Sequence, residues 1–349
     1  MRVQHSRPSI NKEDINAVVS NLRSGEIASG EEVSLFEREI SKYIGVLGGV
    51  AVNSGTNALN LALKTLGIKT GDEVILPSYV CTSVLSAVNY TGAKPVFADI
   101  ESGGYNLDPN SAAEKITKNT KAIIIPHMFG TPANMDSFLK YDIPIIEDCA
   151  QAIGAEYKGK KVGSFGVLSI CSFYATKVLA TGQGGMVLTN SEELLEKLRD
   201  LTKYDGRKEY SVSYNYSLTD FQAALGRSQL KRLDLFINRR REIAGIYNKV
   251  FKEVGQVLPK TENNIFFRYI VEVENLDRYI EEMRKLEVDC AKPVFKPLHQ
   301  YFNIESKEFP NTEKAYNRAI SIPIYPSMRD KEIKQVCEAV RKIWTNFKL

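Results

Sequence analysis

The stretch Cys171–Thr189, CSFYATKVLATGQGGMVLT, holds a lysine on the link between two short apolar runs, GVLSICSF and GGMVLT. Lys177 stands there among small and polar residues, just ahead of a glycine-rich entry into the second run. A surface lysine needs no such setting. A lysine used as a nucleophilic amine does, because it must be held still, partly desolvated and near an electrophile. The two runs also belong to a series: DEVILPSY, AKPVFADI, KAIIIPHMF and IPIIEDCA precede them, separated by helical stretches. Continuous apolar strands alternating with helices predict an α/β fold, with a mostly parallel central sheet covered by helices on both faces.

Outward from this series, NKEDINAVVSNLRSGE has apolar residues at helical spacing and stops at Ser24-Gly25, and EEVSLFEREISKYIG repeats the pattern to Gly45. VAVNSGTNALNLALKTLG reads as strand, tight turn and helix. From about Ser217 the character changes: SLTDFQAALGRSQLKRLDLFINRRREIAGIYNKVF is long and helical, opened by a Thr219-to-Gln222 capping box. Its triple arginine, Arg239 to Arg241, is expected on a solvated helix face. After it, NIFFRYIVEVE, VDCAKPVF and DKEIKQVCEAVRKIW suggest a smaller α/β domain. The expected division is residues 1–234 and 235–349.

The chain has 349 residues, 43% hydrophobic and 25% charged, enough for a large buried core and about two domains. A net charge of +4 singles out neither nucleic acid nor membrane as a partner. Five scattered cysteines without CxxC spacing argue against a disulfide framework or a zinc site, and for a reducing cytoplasm. The first residues turn polar at once, unlike a signal peptide, and no apolar run reaches spanning length. A soluble cytoplasmic protein without a metal site is expected.

Three elements converge on one chemistry. In NSGTNAL, a Ser-Gly-Thr turn entering a helix presents free N–H groups and the positive end of the helix dipole. Gly55 allows close approach and Thr56 adds a hydroxyl, which suits a phosphate, although a plain helix cap has the same appearance. In IPIIEDCAQAIGA, Glu147 and Asp148 close an apolar strand where ligands of open α/β sheets bind; the alternative is an acid capping the next turn. In the opening stretch, Ser172 and Lys177 follow a strand. An amine for an aldehyde, a carboxylate for a ring nitrogen and donors for a phosphate are together what pyridoxal phosphate requires.

The order SGT, EDCAQ, SFYATK, TGQGG and YNYSLTDFQAALG resembles that of the DegT/StrS sugar aminotransferases, a fold-type-I pyridoxal phosphate family. The likeness extends from the SGEIASG loop to SIPIYPSM. It implies a large cofactor-binding domain with a mostly parallel sheet and a smaller C-terminal α/β domain. It implies that Lys177 carries the cofactor, that Asp148 pairs with the pyridinium nitrogen, and that Gln151 bonds the ring hydroxyl. Ala150 would pack under the ring, while Gly55, Thr56 and Ser172 would hold the phosphate. Asn215 matches a residue that reaches the neighbouring subunit's phosphate, which implies a homodimer with shared sites. The chain departs from the family pattern at three places. Cys81 stands where an aromatic often covers the ring, Ile27 replaces another common aromatic, and Tyr174 replaces a frequent histidine. Tyr174, His299 and Tyr325 resemble residues bordering the substrate pocket, whereas His127 reads as a structural histidine.

What the resemblance implies is an aminotransferase that moves an amino group from glutamate to a keto-deoxy sugar, nucleotide-linked, for surface polysaccharide or glycoconjugate synthesis, with pyridoxamine phosphate as intermediate. A keto sugar without a nucleotide, or a cyclitol, is the nearest alternative acceptor. A sugar dehydratase of the same family would carry histidine in place of Lys177. A non-catalytic cofactor-binding regulator would not need lysine, acid and phosphate donors together.

Overall fold

The structure is a computed structural model that describes residues 2–256 and 263–347. The chain opens with α1 (Lys12–Ser24) and α2 (Glu31–Ile44), each stopped by a glycine in the left-handed region, Gly25 and Gly45. Strand and helix then alternate: β1 (Gly48–Val52), α3 (Gly55–Thr65), β2 (Glu73–Pro77), α4 (Thr82–Asn89), β3 (Lys94–Ala98), α5 (Pro109–Glu114), β4 (Thr120–Pro126), α6 (Met135–Phe138) and β5 (Ile145–Asp148). A small hairpin, β6 (Glu156–Tyr157) and β7 (Lys160–Lys161), precedes β8 (Leu168–Ser172), β9 (Gly185–Thr189) and α7 (Glu192–Thr202). The remainder is α8 (Asp220–Leu230), α9 (Leu233–Glu253), β10 (Tyr269–Glu272), α10 (Leu276–Lys285), α11 (Pro310–Arg318), β11 (Ala319–Ile322) and α12 (Asp330–Phe347).

Seven strands form one sheet in the order β1-β9-β8-β5-β4-β2-β3. Four of its pairings are parallel, and β9 alone runs against its neighbours β1 and β8. The strands are apolar on both sides because both sides are covered. Ile124 packs in one buried cluster with α3 and α4, while its neighbours Ile123 and Ile125 pack in another with Met135 and Phe138. Ala51, Met186 and Leu188 face a third cluster, with Phe36 of α2 and Phe236 of α9.

The long helical tract after Ser217 is two helices, broken at Lys231-Arg232. At its start the Gln222 side-chain oxygen accepts from both the hydroxyl and the N–H of Thr219, at 2.6 and 3.4 Å. Asp234 lies one residue inside α9, and that helix serves two cores. Leu233, Phe236 and Ile237 pack beneath the seven-stranded sheet, whereas Ile243, Tyr247, Val250 and Phe251 pack against β10, β11 and α12. Two sequence expectations change here. VDCAKPVF forms no strand of its own, only single bridges from Val288 to Val3 and from Ala291 to Ser321. The triple arginine is not a solvated face: Arg240 is buried and donates to the carbonyls of Phe266, Phe267 and Ile324 at 2.9–3.2 Å. Helical spacing turns its neighbours elsewhere, Arg239 toward Asp330 and Arg241 toward the Asn264 carbonyl. No described helix is long and apolar enough to cross a membrane.

Candidate active site

Because β1, β5 and β8 run the same way, the ends of all three meet on one edge of the sheet, beside the start of α3. There Gly55, Thr56, Cys81, Asp148, Ala150, Ser172, Tyr174 and Lys177 line a single cavity of about 240 Å³. The turn from β1 into α3 is capped by Ser54, whose hydroxyl accepts from the Asn57 N–H at 3.1 Å. Glycine at 55 is a packing requirement. A Cβ there would stand 2.7 Å from Cβ and 2.9 Å from Oγ of Ser172, so the helix start and the end of β8 could not come together. Gly185, the first residue of β9, is equally constrained, since a Cβ would lie 2.4 Å from the Ser54 carbonyl oxygen. The Thr56 and Ser172 hydroxyls thus border the N-terminus of an 11-residue helix, an anion seat.

The lysine is held by its loop. The Phe173 N–H donates to Gly184 O, Ala175 to Gly182 and Thr181 to Phe173, while the Lys177 N–H closes a turn onto Tyr174 O at 2.8 Å. Phe173 anchors this loop in the core against Phe36, with ring centroids 5.0 Å apart. Lys177 Nζ lies 5.1 Å from the centroid of Phe267. Burial lowers the pKa of the amine, the charges of Asp148 and Cys81 oppose that shift, and Arg268 adds to it.

Strand alternation sorts the two acids of β5. Glu147 points away from the cavity and is buried, accepting from His127 Nε2 (3.0 Å) and from the N–H groups of Gly163, Phe165 and Gly166 (2.7–2.8 Å). His127 in turn accepts the Ala133 N–H on Nδ1, which leaves the proton on Nε2. This pair is structural. Asp148 takes the opposite face and enters the cavity, where the Ala150 N–H donates to its carboxylate at 2.9 Å. Burial raises its pKa, against the Ala150 N–H and the charges of Lys177 and His127.

Four of the expected residues lie outside the cavity lining. Gln151 accepts the Phe129 N–H at 3.0 Å and faces only the Met128 sulfur with its amide nitrogen, at 3.8 Å. Asn215 is exposed, in the irregular segment before α8. His299 has both ring nitrogens engaged, by Ser78 Oγ at 2.6 Å and Glu313 Oε1 at 2.8 Å, and is fully buried. Tyr325 is buried in the core around β10 and β11, under the Arg7 guanidinium. Conversely, Ser83, Gln183 and Phe267 belong to the surroundings of the site without having been expected there. Gln183 lies within the glycine-rich motif itself. Phe267 has no local signal, since only folding brings it to Lys177.

An amine, a buried carboxylate and a helix N-terminus with two hydroxyls on one cavity fit pyridoxal 5′-phosphate. A Streptococcus pneumoniae protein assigned as a sugar aminotransferase, and solved in PLP and PMP forms, superposes with a TM-score of 0.92 at 27% identity. Its PLP form is aligned over 99% of each chain. Bacillus subtilis spore coat polysaccharide biosynthesis protein SpsC is 37% identical over 97% of this chain and 96% of its own. GDP-perosamine synthase of Escherichia coli O157:H7 is 34% identical over 97% and 98%. The sequence profile of the DegT/DnrJ/EryC1/StrS aminotransferases matches residues 8–341. Over nearly its whole length, therefore, this chain belongs to the DegT/DnrJ/EryC1/StrS aminotransferase family.

Proposed function

We propose that this chain transfers an amino group from glutamate to a keto-deoxy sugar carried on a nucleotide, in amino-sugar synthesis for a surface polysaccharide or glycoconjugate. The observation that carries this reading is the meeting of Lys177 and Asp148 on one cavity beside the Ser54–Thr56 turn. Bound pyridoxal phosphate supplies an aldehyde that takes up the amino group and a ring that accepts electrons.

The residues do the rest. Lys177 would hold the cofactor, and its amine, which burial favours in the neutral form, would carry a proton from the donor carbon. Asp148 holds a proton on the ring nitrogen and so keeps the ring electron-poor. Thr56, Ser172 and the first N–H groups of α3 hold the phosphate. Ala150 and Cys81, both on the cavity lining, would border the ring, the thiol as a small polarisable contact. Gln151 lies outside the cavity lining, but its amide nitrogen, which meets only the Met128 sulfur, is a donor that the ring hydroxyl would use. The names of the relatives support a nucleotide-linked sugar acceptor and a polysaccharide product.

Asn215 is exposed and outside its own cavity, which supports a homodimer in which it reaches the partner's phosphate. All five cysteines are unpaired, in keeping with a cytoplasmic enzyme. The test is to load the protein with pyridoxamine phosphate and screen nucleotide-linked keto sugars for return of the yellow absorbance, with product mass as confirmation. Failure of borohydride to fix the cofactor on Lys177 would overturn the reading.

A further inference from the structure

Beside the lysine stands a second cation without an acid. The Arg268 guanidinium carbon lies 4.8 Å from the centroid of Phe267, the same ring that Lys177 Nζ approaches to 5.1 Å. Among the described residues no carboxylate lies within ion-pair distance of Arg268. Its polar contact is a ring nitrogen of His5 at 3.5 Å, too long to satisfy a guanidinium. His5 is no counter-charge, since burial and Arg268 itself hold it down near 3, neutral at physiological pH. Arg240, which is buried where Arg268 is only partly so, is in a different position, because three backbone carbonyls receive it.

Arg268 lines a cavity of about 420 Å³, together with Tyr105, Asn106, Phe129 and Asn264. The acid on that wall, Glu101, makes no ion pair with Arg268, and burial with the nearby Asp108 raises its carboxyl to about 7. Desolvating a guanidinium without an anion is costly, and burial lowers Arg268 to about 10. Such a charge is kept where an anion arrives to meet it.

We infer that Arg268 receives a carboxylate of the amino donor and holds that amino acid with its amine turned toward Lys177. The inference rests on the function proposed above. A planar guanidinium fork matches a carboxylate through two parallel bonds. The guanidinium and the reacting amine lie 4.8 and 5.1 Å from the centroid of one ring, close enough for an amino acid to reach both. The phosphates of a sugar nucleotide, by contrast, are set off from the reacting carbon by the sugar ring.

α-Methyl-L-glutamate carries the donor's amine and both carboxylates but no transferable α-hydrogen, so its binding to the PLP-loaded protein can be measured by calorimetry. Arg268→Ala is expected to raise its Kd about 20- to 100-fold, and Arg268→Lys to recover only part of the loss. Methylamine, which has no carboxylate, should react with wild type and variant alike. Arg268→Gln, closer in bulk, replaces the alanine variant if that one fails to load cofactor. Borohydride labelling of Lys177 in each variant checks the parent reading separately. A labelled Arg268 variant that binds α-methyl-L-glutamate as wild type does, or that loses only the keto-sugar half-reaction, would overturn the role of Arg268 and leave the aminotransferase reading intact.

Discussion

Asp148 and Lys177 share one cavity, and burial pushes each toward its neutral form while the other's charge opposes the shift. Asn at position 148 keeps the shape of the side chain and removes the charge proposed to hold a ring proton. Asp148→Asn is therefore expected to slow the glutamate half-reaction by about 100-fold or more, with the thermal midpoint little changed; single-turnover absorbance and a melting curve together check this. The lysine carries a stability signature of its own. Its folded-state pKa lies below that of an unfolded chain, so the unfolded chain binds the proton more readily. The cost is present at lower pH and fades as pH rises toward the ordinary lysine value. Cofactor-free Lys177→Met protein should melt a few degrees above cofactor-free wild type at pH 7, and the gap should close above pH 10. A gap that widens with pH would contradict a buried, proton-averse amine.

At the scale of elements, β5 does two jobs through adjacent residues. Glu147 ties the strand to the His127 segment and to the turn at 163–166, and four donors surround its carboxylate. Glu147→Ala leaves those donors unmet in a dry site and should cost about 3–5 kcal/mol in urea unfolding, since breaking a buried polar pair strands its partners. The His127 proton and these N–H groups hold the Glu147 pKa below the usual carboxylate value, despite burial. The contribution is thus present above the unfolded carboxylate range, and is lost as pH falls through the folded value. Wild-type stability should drop on acidification more steeply than that of Glu147→Gln, which has no charge to lose there. The ED pair looked ambiguous in the sequence because either acid could have capped the turn; alternation along the strand resolves it, with one acid structural and the other in the cavity.

For the whole molecule, α9 and Arg240 link the sheet's core to the core around β10 and β11. The Arg240 guanidinium donates to the carbonyls of Phe266 and Phe267, the residues that precede Arg268, and Phe267 borders Lys177. Arg240→Ala should thus weaken folding by about 3 kcal/mol, because three buried carbonyls lose a charged donor. The proposed dimer has its own test. If Asn215 completes the partner's site, mixing inactive Lys177→Ala with an Asn215 variant, then letting subunits exchange, should restore about a quarter of wild-type activity through heterodimers with one intact site. No recovery despite exchange, followed by sedimentation or native mass spectrometry, would place Asn215 in its own chain's service.

The alternation of apolar runs, the glycine stops of α1 and α2, the lysine loop and the Ser-Gly-Thr turn were legible in the sequence because each depends on neighbours within a few residues: strand length, helical spacing, caps and turn chemistry. Tertiary structure alone decided what depends on residues far apart. It buried Arg240 in the middle of a run that reads as a solvated face, and it closed His299 between Ser78 and Glu313, away from the cavity. It also carried Phe267 and Arg268 some 90 positions along the chain to the side of Lys177. The physical reason is the same in each case. Burial and pairing are properties of the space around a side chain, and that space is filled by segments whose approach no local pattern encodes.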